Sequence, residues 1–252
     1  MTINPYRVFL GWDPSQMRAW VVASTSLYSR AMIRPDVRRI SMPELRAQGL
    51  YTRPTEEAEH GYLDVISGAP MSTGHAIARF LVPALCHYDG WALFTDGDVL
   101  VRKDIADLFA LADPACAVQV VQHHHDPAGC RKMTGETQTA YPRKNWSSVV
   151  LWNCGHVANR ALTVDLVNAL PGRDLHRFCW LEDGLIGVLP AHWNYLVDVD
   201  PPMENPALVH FTEGVPDMPG YEHVPFADEW YATAKTCGYR LTRPVLQEVR
   251  RA

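Results

Sequence analysis

The sequence predicts an α/β fold: a mostly parallel central sheet with helices on both faces. Two features carry that prediction. Short apolar runs alternate with segments of helical periodicity, the pattern of parallel strands joined by helical crossovers. The run from Trp91 to Phe94 is apolar at every position, as a strand covered on both faces must be. A chain of 252 residues, 47% hydrophobic and 20% charged, suffices for a large core. One domain spanning residues 1–252 is the simplest organisation.

Residues 6–10 read as the first strand, closed by Gly11-Trp12-Asp13-Pro14. Residues 15–29 follow as a helix, with Trp20, Val21, Ala23 and Leu27 at helical spacing. A short second strand covers 37–40. Residues 43–74 are polar and irregular apart from a helical signal at 43–48. Residues 73–85 read as one helix with Thr73 as its N-cap. The apolar strand at 91–94 comes next, then a short helix at 104–111 and a strand at 117–122. A polar loop rich in Gly, Thr and Pro covers 126–144. Beyond it the pattern gives a strand at 147–152, a helix at 157–169 and a helix opening at 182–189. Strands at 194–199 and 207–211, a loop at 216–225 and a last helix at 227–237 complete the chain.

Composition excludes several function classes. Net charge is −5 with no basic run before Arg250-Arg251, so there is no electrostatic footprint for nucleic acid or an anionic membrane. No apolar run approaches the roughly 20 residues of a spanning helix, and the first residues lack the pattern of a signal peptide. The six cysteines contain no CxxC pair. That usage fits reduced thiols in a cytoplasmic protein better than a disulfide framework or zinc site.

The chemistry concentrates at Phe94-Thr95-Asp96-Gly97-Asp98-Val99. A buried parallel strand delivers Asp96 and Asp98 to its carboxyl end, where open α/β sheets hold their ligands. Gly97 keeps the turn tight and lets another group approach. Two hard oxygen donors there suit Mn²⁺ or Mg²⁺, ions that complete their shell with phosphate oxygens. The competing reading is an acidic turn between two strands.

A wider set of residues carries a resemblance. Gly11-Trp12-Asp13 after the first strand, Ala78-Arg79-Phe80-Leu81-Val82-Pro83, and then the strand with Asp96-Gly97-Asp98 come in that order. Downstream stand Asn145-Trp146-Ser147-Ser148-Val149-Val150-Leu151-Trp152-Asn153 and Val209-His210-Phe211-Thr212-Glu213-Gly214. Together they resemble a glycosyltransferase of the GT-A (Rossmann-like) fold. The similarity is to the retaining family that includes glycogenin and bacterial lipopolysaccharide galactosyltransferases.

The resemblance implies a nucleotide-sugar donor, UDP-linked, transferred with retention to a carbohydrate, glycolipid or protein acceptor. It implies Mn²⁺ or Mg²⁺ held by Asp96, Asp98 and His210. Gly11, Trp12 and Asp13 would sit at the base and ribose, with Trp12 stacking on the base. Arg79 would contact the donor, and Gly214 would offer its N–H to a phosphate oxygen. After that glycine the family often has Lys-Pro-Trp, whereas this chain has Val215-Pro216-Asp217. Glu182-Asp183 is similar to the family's acidic segment beside the reacting sugar carbon, although the family's Gln is missing. Acidic residues in a helix's first turn are also ordinary capping. Retention by a covalent intermediate and by front-face attack both stay open.

Three adjacent histidines rarely share one ion, because neighbours in an extended chain alternate direction. His123-His124-His125-Asp126 is therefore read as a strand end facing the cleft, with His125 or Asp126 touching sugar. Lys144 and Asn145 are further sugar hydrogen-bonding candidates. Two other classes compete: a haloacid-dehalogenase-like phosphohydrolase with Asp96 as nucleophile, and a non-catalytic nucleotide or carbohydrate-binding module.

Overall fold

The computed structural model describes residues 6–59, 61–123, 143 and 145–238. Strand β1 (Arg7–Trp12) turns through a 3₁₀ segment into helix α1 (Met17–Arg30) and returns as β2 (Asp36–Ser41). Helix α2 (Met42–Ala47) precedes three short strands, β3 (Thr55–Glu57), β4 (Tyr62–Asp64) and β5 (Ala69–Met71). Helices α3 (His75–Ala78) and α4 (Val82–Leu85) lead to β6 (Trp91–Thr95), β7 (Val99–Val101), α5 (Ile105–Phe109) and β8 (Val118–Val120). Then come β9 (Val149–Asn153), α6 (Val164–Ala169), α7 (Gly172–His176) and β10 (Ile186–Val188). The described part closes with β11 (Tyr195–Leu196), β12 (Leu208–His210) and α8 (Ala227–Thr236).

The main sheet has the order β10-β8-β9-β6-β1-β2. β10 is parallel to β8, and β6, β1 and β2 are parallel to one another. Only β9 is reversed, pairing antiparallel with both β6 and β8. The sheet is thus mostly parallel, as the sequence predicts. Alternation along its strands divides the core. Phe9, Ala92, Phe94, Val150 and Trp152 enter one apolar cluster, while Val8, Leu10, Leu93, Val149 and Leu151 enter another. A third cluster joins α1 and α8 to the small sheet β11-β12-β7. Within that sheet β12 runs antiparallel to β7, with His210 opposite Val99.

Several elements differ from the pattern-based reading. The stretch 73–85 is not one helix: a 3₁₀ segment (Arg79–Leu81) separates α3 from α4, and Pro83 sits early in α4. Thr73 is not the cap; its hydroxyl faces His75 Nε2 at 3.3 Å, and Gly74 occupies the capping position. The segment from 182 does not open a helix. A 3₁₀ turn (Asp183–Leu185) leads into β10, where pairing with β8 overrides local helical spacing. The helix expected at 157–169 is a 3₁₀ segment followed by α6, whose cap is Thr163.

The residues between 43 and 74 form a small antiparallel sheet, β3-β4-β5. Arg53 anchors it, donating to both carboxylate oxygens of Asp64 at 2.6 Å and to the Val167 carbonyl at 3.1 Å. Among the described residues no helix is long and apolar enough to cross a membrane.

Candidate active site

The end of β6 carries the Asp96-Gly97-Asp98 turn, and two backbone bonds fix it. Asp96 N–H donates to the Ser148 carbonyl at 3.0 Å, and Phe211 N–H donates to the Asp98 carbonyl at 3.0 Å. The turn is thereby clamped between the start of β9 and the end of β12. A side chain at Gly97 would lie 2.3 Å from the Gly11 carbonyl oxygen, so only glycine lets β1 and this turn approach.

The β12–β7 pairing carries His210 to the two aspartates. Ligand atoms of Asp96, Asp98 and His210 all lie within 4.8 Å of one another. His210 Nε2 is 3.1 Å from Asp98 Oδ1 and 4.0 Å from Asp96 Oδ2. Asp98 Oδ1 is buried and accepts no well-formed hydrogen bond. His210 Nδ1 faces the Asn194 side-chain oxygen at 3.1 Å, which requires the proton on Nδ1 and leaves the Nε2 lone pair directed at the carboxylates. Acceptors this close need a positive charge between them: a proton on Nε2 or a bound cation. Burial opposes charging His210, but Asp98 and then Asp96 outweigh it and raise its pKa above the ordinary value. Two carboxylate oxygens and one imidazole nitrogen suit Mn²⁺ or Mg²⁺. These three residues are the ones that would hold it.

Asp96 has further partners that sequence reasoning missed. Arg79 Nη2 lies 2.8 Å from its Oδ1, and His75 Nε2 lies 3.2 Å from the same oxygen. Burial alone would raise the Asp96 pKa; Arg79 first, then His75 and His210, hold it well below the usual carboxylate range. Asp96 therefore stays charged although it is largely enclosed. His75 also explains Gly11, where a Cβ would meet its ring at 2.5 Å. Deeper in, His176 is driven down to about 3 by burial and by Arg79. It is thus neutral, and its Nδ1 shares a hydrogen bond with the Ser147 hydroxyl at 2.7 Å.

Other expected site residues are spoken for or lie on the surface. Arg79 is not a surface helix arginine: its guanidinium also donates to the Ser147 carbonyl at 2.9 Å and lies over the Phe94 ring at 4.8 Å. Asp13 accepts from Ser15 N–H at 3.0 Å and from Gly74 N–H at 2.8 Å, so its carboxylate ties β1 to the segment before α3. Trp12 is half-buried at the end of β1, with the Arg39 guanidinium 5.1 Å from its ring centroid. Gly214 N–H donates to the Phe211 carbonyl at 3.1 Å rather than pointing outward, and a Cβ there would meet the Tyr221 ring at 2.6 Å.

Glu182 and Asp183 are exposed. Asp183 has 92% of its side chain in solvent and pairs with Arg143. Asn145 takes the left-handed conformation with φ 64°, which Asn tolerates, and its carbonyl accepts from Ser148. His125, Asp126 and Lys144 lie outside the described residues. His123 does not join the aspartates; it sits between Asn194 and Asp200.

The fold can now be placed among known ones. The chain resembles the bifunctional glycosyltransferase WbbM, with a TM-score of 0.61 at 13% identity over 92% of this chain and 50% of that one. Against the galactosyltransferase LgtC bound to donor and acceptor sugar analogues, the TM-score is 0.55 at 13% identity, covering 91% of this chain and 95% of that one. GlyE of Streptococcus pneumoniae gives a TM-score of 0.55 at 15% identity, over 92% of this chain and 60% of that one. The chain thus spans only half of WbbM and 60% of GlyE. No protein-family model matches. The chain thus has the GT-A fold, the fold of these glycosyltransferases. In sequence it is 42% identical over 233 residues to Protein CDI of Arabidopsis thaliana, covering 90% of this chain and 85% of that protein, and it belongs to that family.

Proposed function

We propose that this protein is a divalent-metal-dependent glycosyltransferase that moves a sugar from a UDP-linked donor to an acceptor with retention of configuration. The observation that carries the reading is the convergence of Asp96, Asp98 and His210 at the carboxyl edge of a GT-A sheet. Mn²⁺ or Mg²⁺, when bound, neutralises the charge that grows on the diphosphate leaving group. Arg79 and His75 keep Asp96 ionised and aimed, Gly97 lets the turn approach β1, and Gly11 leaves room for the His75 ring.

In this reading Trp12, together with Gly11 and the backbone around Asp13, forms the wall for base and ribose. Glu182 or Asp183 stands beside the donor sugar, and Asn145, Lys144, His125 and Asp126 supply sugar contacts. With Val215-Pro216-Asp217 at the Lys-Pro-Trp position, the phosphates take a positive partner from elsewhere or none beyond the ion. Residues 1–252 act as one glycosyltransferase-like domain. Cytoplasmic residence fits the scattered cysteine usage, which contains no CxxC pair.

Incubation with UDP-glucose or UDP-galactose and Mn²⁺, followed by assay of released UDP with and without candidate acceptors, tests the reading. Metal-dependent UDP release supports it. Phosphate release from phosphomonoesters, or nucleotide binding without turnover, overturns it.

A further inference from the structure

We infer that Asn194 is a positioning residue: it locks the His210 ring so that Nε2 is offered to the ion. This inference rests on the proposed metal dependence of the site. Asn194 is fully buried and lies between the two walls of the site. Its side chain has three partners: His210 Nδ1 at 3.1 Å, Ser148 Oγ at 2.9 Å and His123 Nε2 at 3.0 Å.

A count of protons fixes which end of the amide faces which partner. Ser148 has a single hydroxyl proton and donates it to the Asn145 carbonyl at 2.7 Å. Ser148 Oγ can therefore only accept from Asn194, which turns the amide nitrogen towards Ser148 and His123. The amide oxygen is left for His210, and it accepts the Nδ1 proton. His123 then accepts at Nε2 and carries its own proton on Nδ1, which faces Asp200 Oδ1 at 3.4 Å. Asp200 is in turn held by Leu196 N–H at 2.8 Å.

Every donor along this row from Asp200 to Asn194 meets an acceptor. It runs from Asp200 through His123 and Asn194 to His210 and ends at Nε2, which faces Asp98 and would be offered to the ion. Ser148 closes the bracket, because its carbonyl holds the Asp96 N–H at 3.0 Å. One amide thus sets the ring on β12 and the aspartate turn on β6 against each other. Partners of this kind fix the tautomer and rotation of a ligating histidine.

The test is Mn²⁺ binding followed by electron paramagnetic resonance, with Asn194→Ala and Asn194→Asp beside the wild type. Asn194→Ala removes the acceptor and lets His210 place its proton on Nε2 towards Asp98. Its Mn²⁺ affinity should fall about 10–100-fold. Asn194→Asp keeps an acceptor for Nδ1–H; His123 can turn to its other tautomer and Ser148 can swing its hydroxyl proton from the Asn145 carbonyl to the new carboxylate, so it should restore most of the affinity. A folded Asn194→Ala protein that binds Mn²⁺ as tightly as wild type overturns this inference and leaves the metal dependence standing. A wild type that binds no Mn²⁺ overturns the metal dependence and this inference with it.

If Asn194→Ala does not fold, the wild type decides. Long-range ¹H–¹⁵N spectra of the Mg²⁺-loaded, ¹⁵N-histidine-labelled protein should show His210 protonated at Nδ1. Protonation at Nε2 instead overturns the assignment.

Discussion

His210 Nε2 and Asp98 Oδ1 lie 3.1 Å apart, although one ends β12 and the other follows β6. The β12–β7 pairing brings them together, and a proton on Nε2 or a bound cation would reconcile the two acceptors. Asp98→Ala should leave the fold intact, because Asp98 contributes its backbone carbonyl, not its carboxylate, to the clamp with Phe211. Mn²⁺ binding and metal-dependent UDP release should both vanish. Retention of either would detach Asp98 from the ion.

Arg79 is the largest stabiliser of the Asp96 charge. Arg79→Met leaves a buried carboxylate with weakened compensation and should cost about 3–5 kcal/mol of stability. Thermal and urea unfolding read this directly. Mn²⁺ affinity should fall as well, since the guanidinium fixes the orientation of the Asp96 oxygens. An Arg79→Met protein as stable as wild type would show that His75 and His210 suffice.

The Arg53–Asp64 pair makes a prediction about acid. Burial by itself would raise the Asp64 pKa; hydrogen bonds from Arg53 and Ser67 outweigh it and hold the group below its ordinary 3.8. A depressed pKa contributes stability that is complete above the unfolded value and is lost as pH falls through the folded one. Asp64→Asn should therefore destabilise by about 3–5 kcal/mol at neutral pH. The gap between variant and wild type should close as pH drops below about 3.9. A gap independent of pH would make the loss one of packing rather than charge.

Trp12 stands at the carboxyl end of β1, where the donor base is proposed to rest. Trp12→Ala should weaken UDP binding by about 1–3 kcal/mol, the range for a base stacked on an aromatic ring. Calorimetry with UDP and Mn²⁺ measures it. Unchanged affinity in a folded variant would assign the indole to its contact with Arg39.

Glu182→Gln and Asp183→Asn remove charge while keeping shape. The proposed electrostatic role predicts that one of them lowers turnover by about a hundredfold or more, with UDP affinity nearly intact. Both carboxylates are exposed, so the role also predicts that they act only once donor sugar displaces the solvent around them. Wild-type turnover in both variants would return Asp183 to its surface pairing with Arg143 and remove the segment from catalysis.

The parts of the fold that were legible in sequence are those governed by short-range pattern. The run Trp91 to Phe94 is apolar at every position, and it is a central strand buried on both faces. Asp13, Gly97 and Asp98 stand at turns that local chemistry announces. The helix misread at 182–189 shows the limit. Leu185, Ile186 and Leu189 fit helical spacing, yet Ile186–Val188 pairs with β8, a partner that no local window contains. The three short strands β3, β4 and β5 escaped notice for the complementary reason: three residues are too few to display a period of two.

By itself the sequence determined the class of sheet, the acidic turn at the end of a buried strand, and the absence of any basic run before Arg250-Arg251. Each follows from residue type and spacing within a few positions. Only the tertiary structure decided that His75, Asn194 and His123 stand around the aspartates, that Arg79 is buried against Asp96, and that Gly214 spends its N–H inside a turn. None of these residues has an unusual local context. Their roles depend on which lone pair faces which proton across elements far apart in the chain, and that direction is set by strand order and register rather than by sequence spacing.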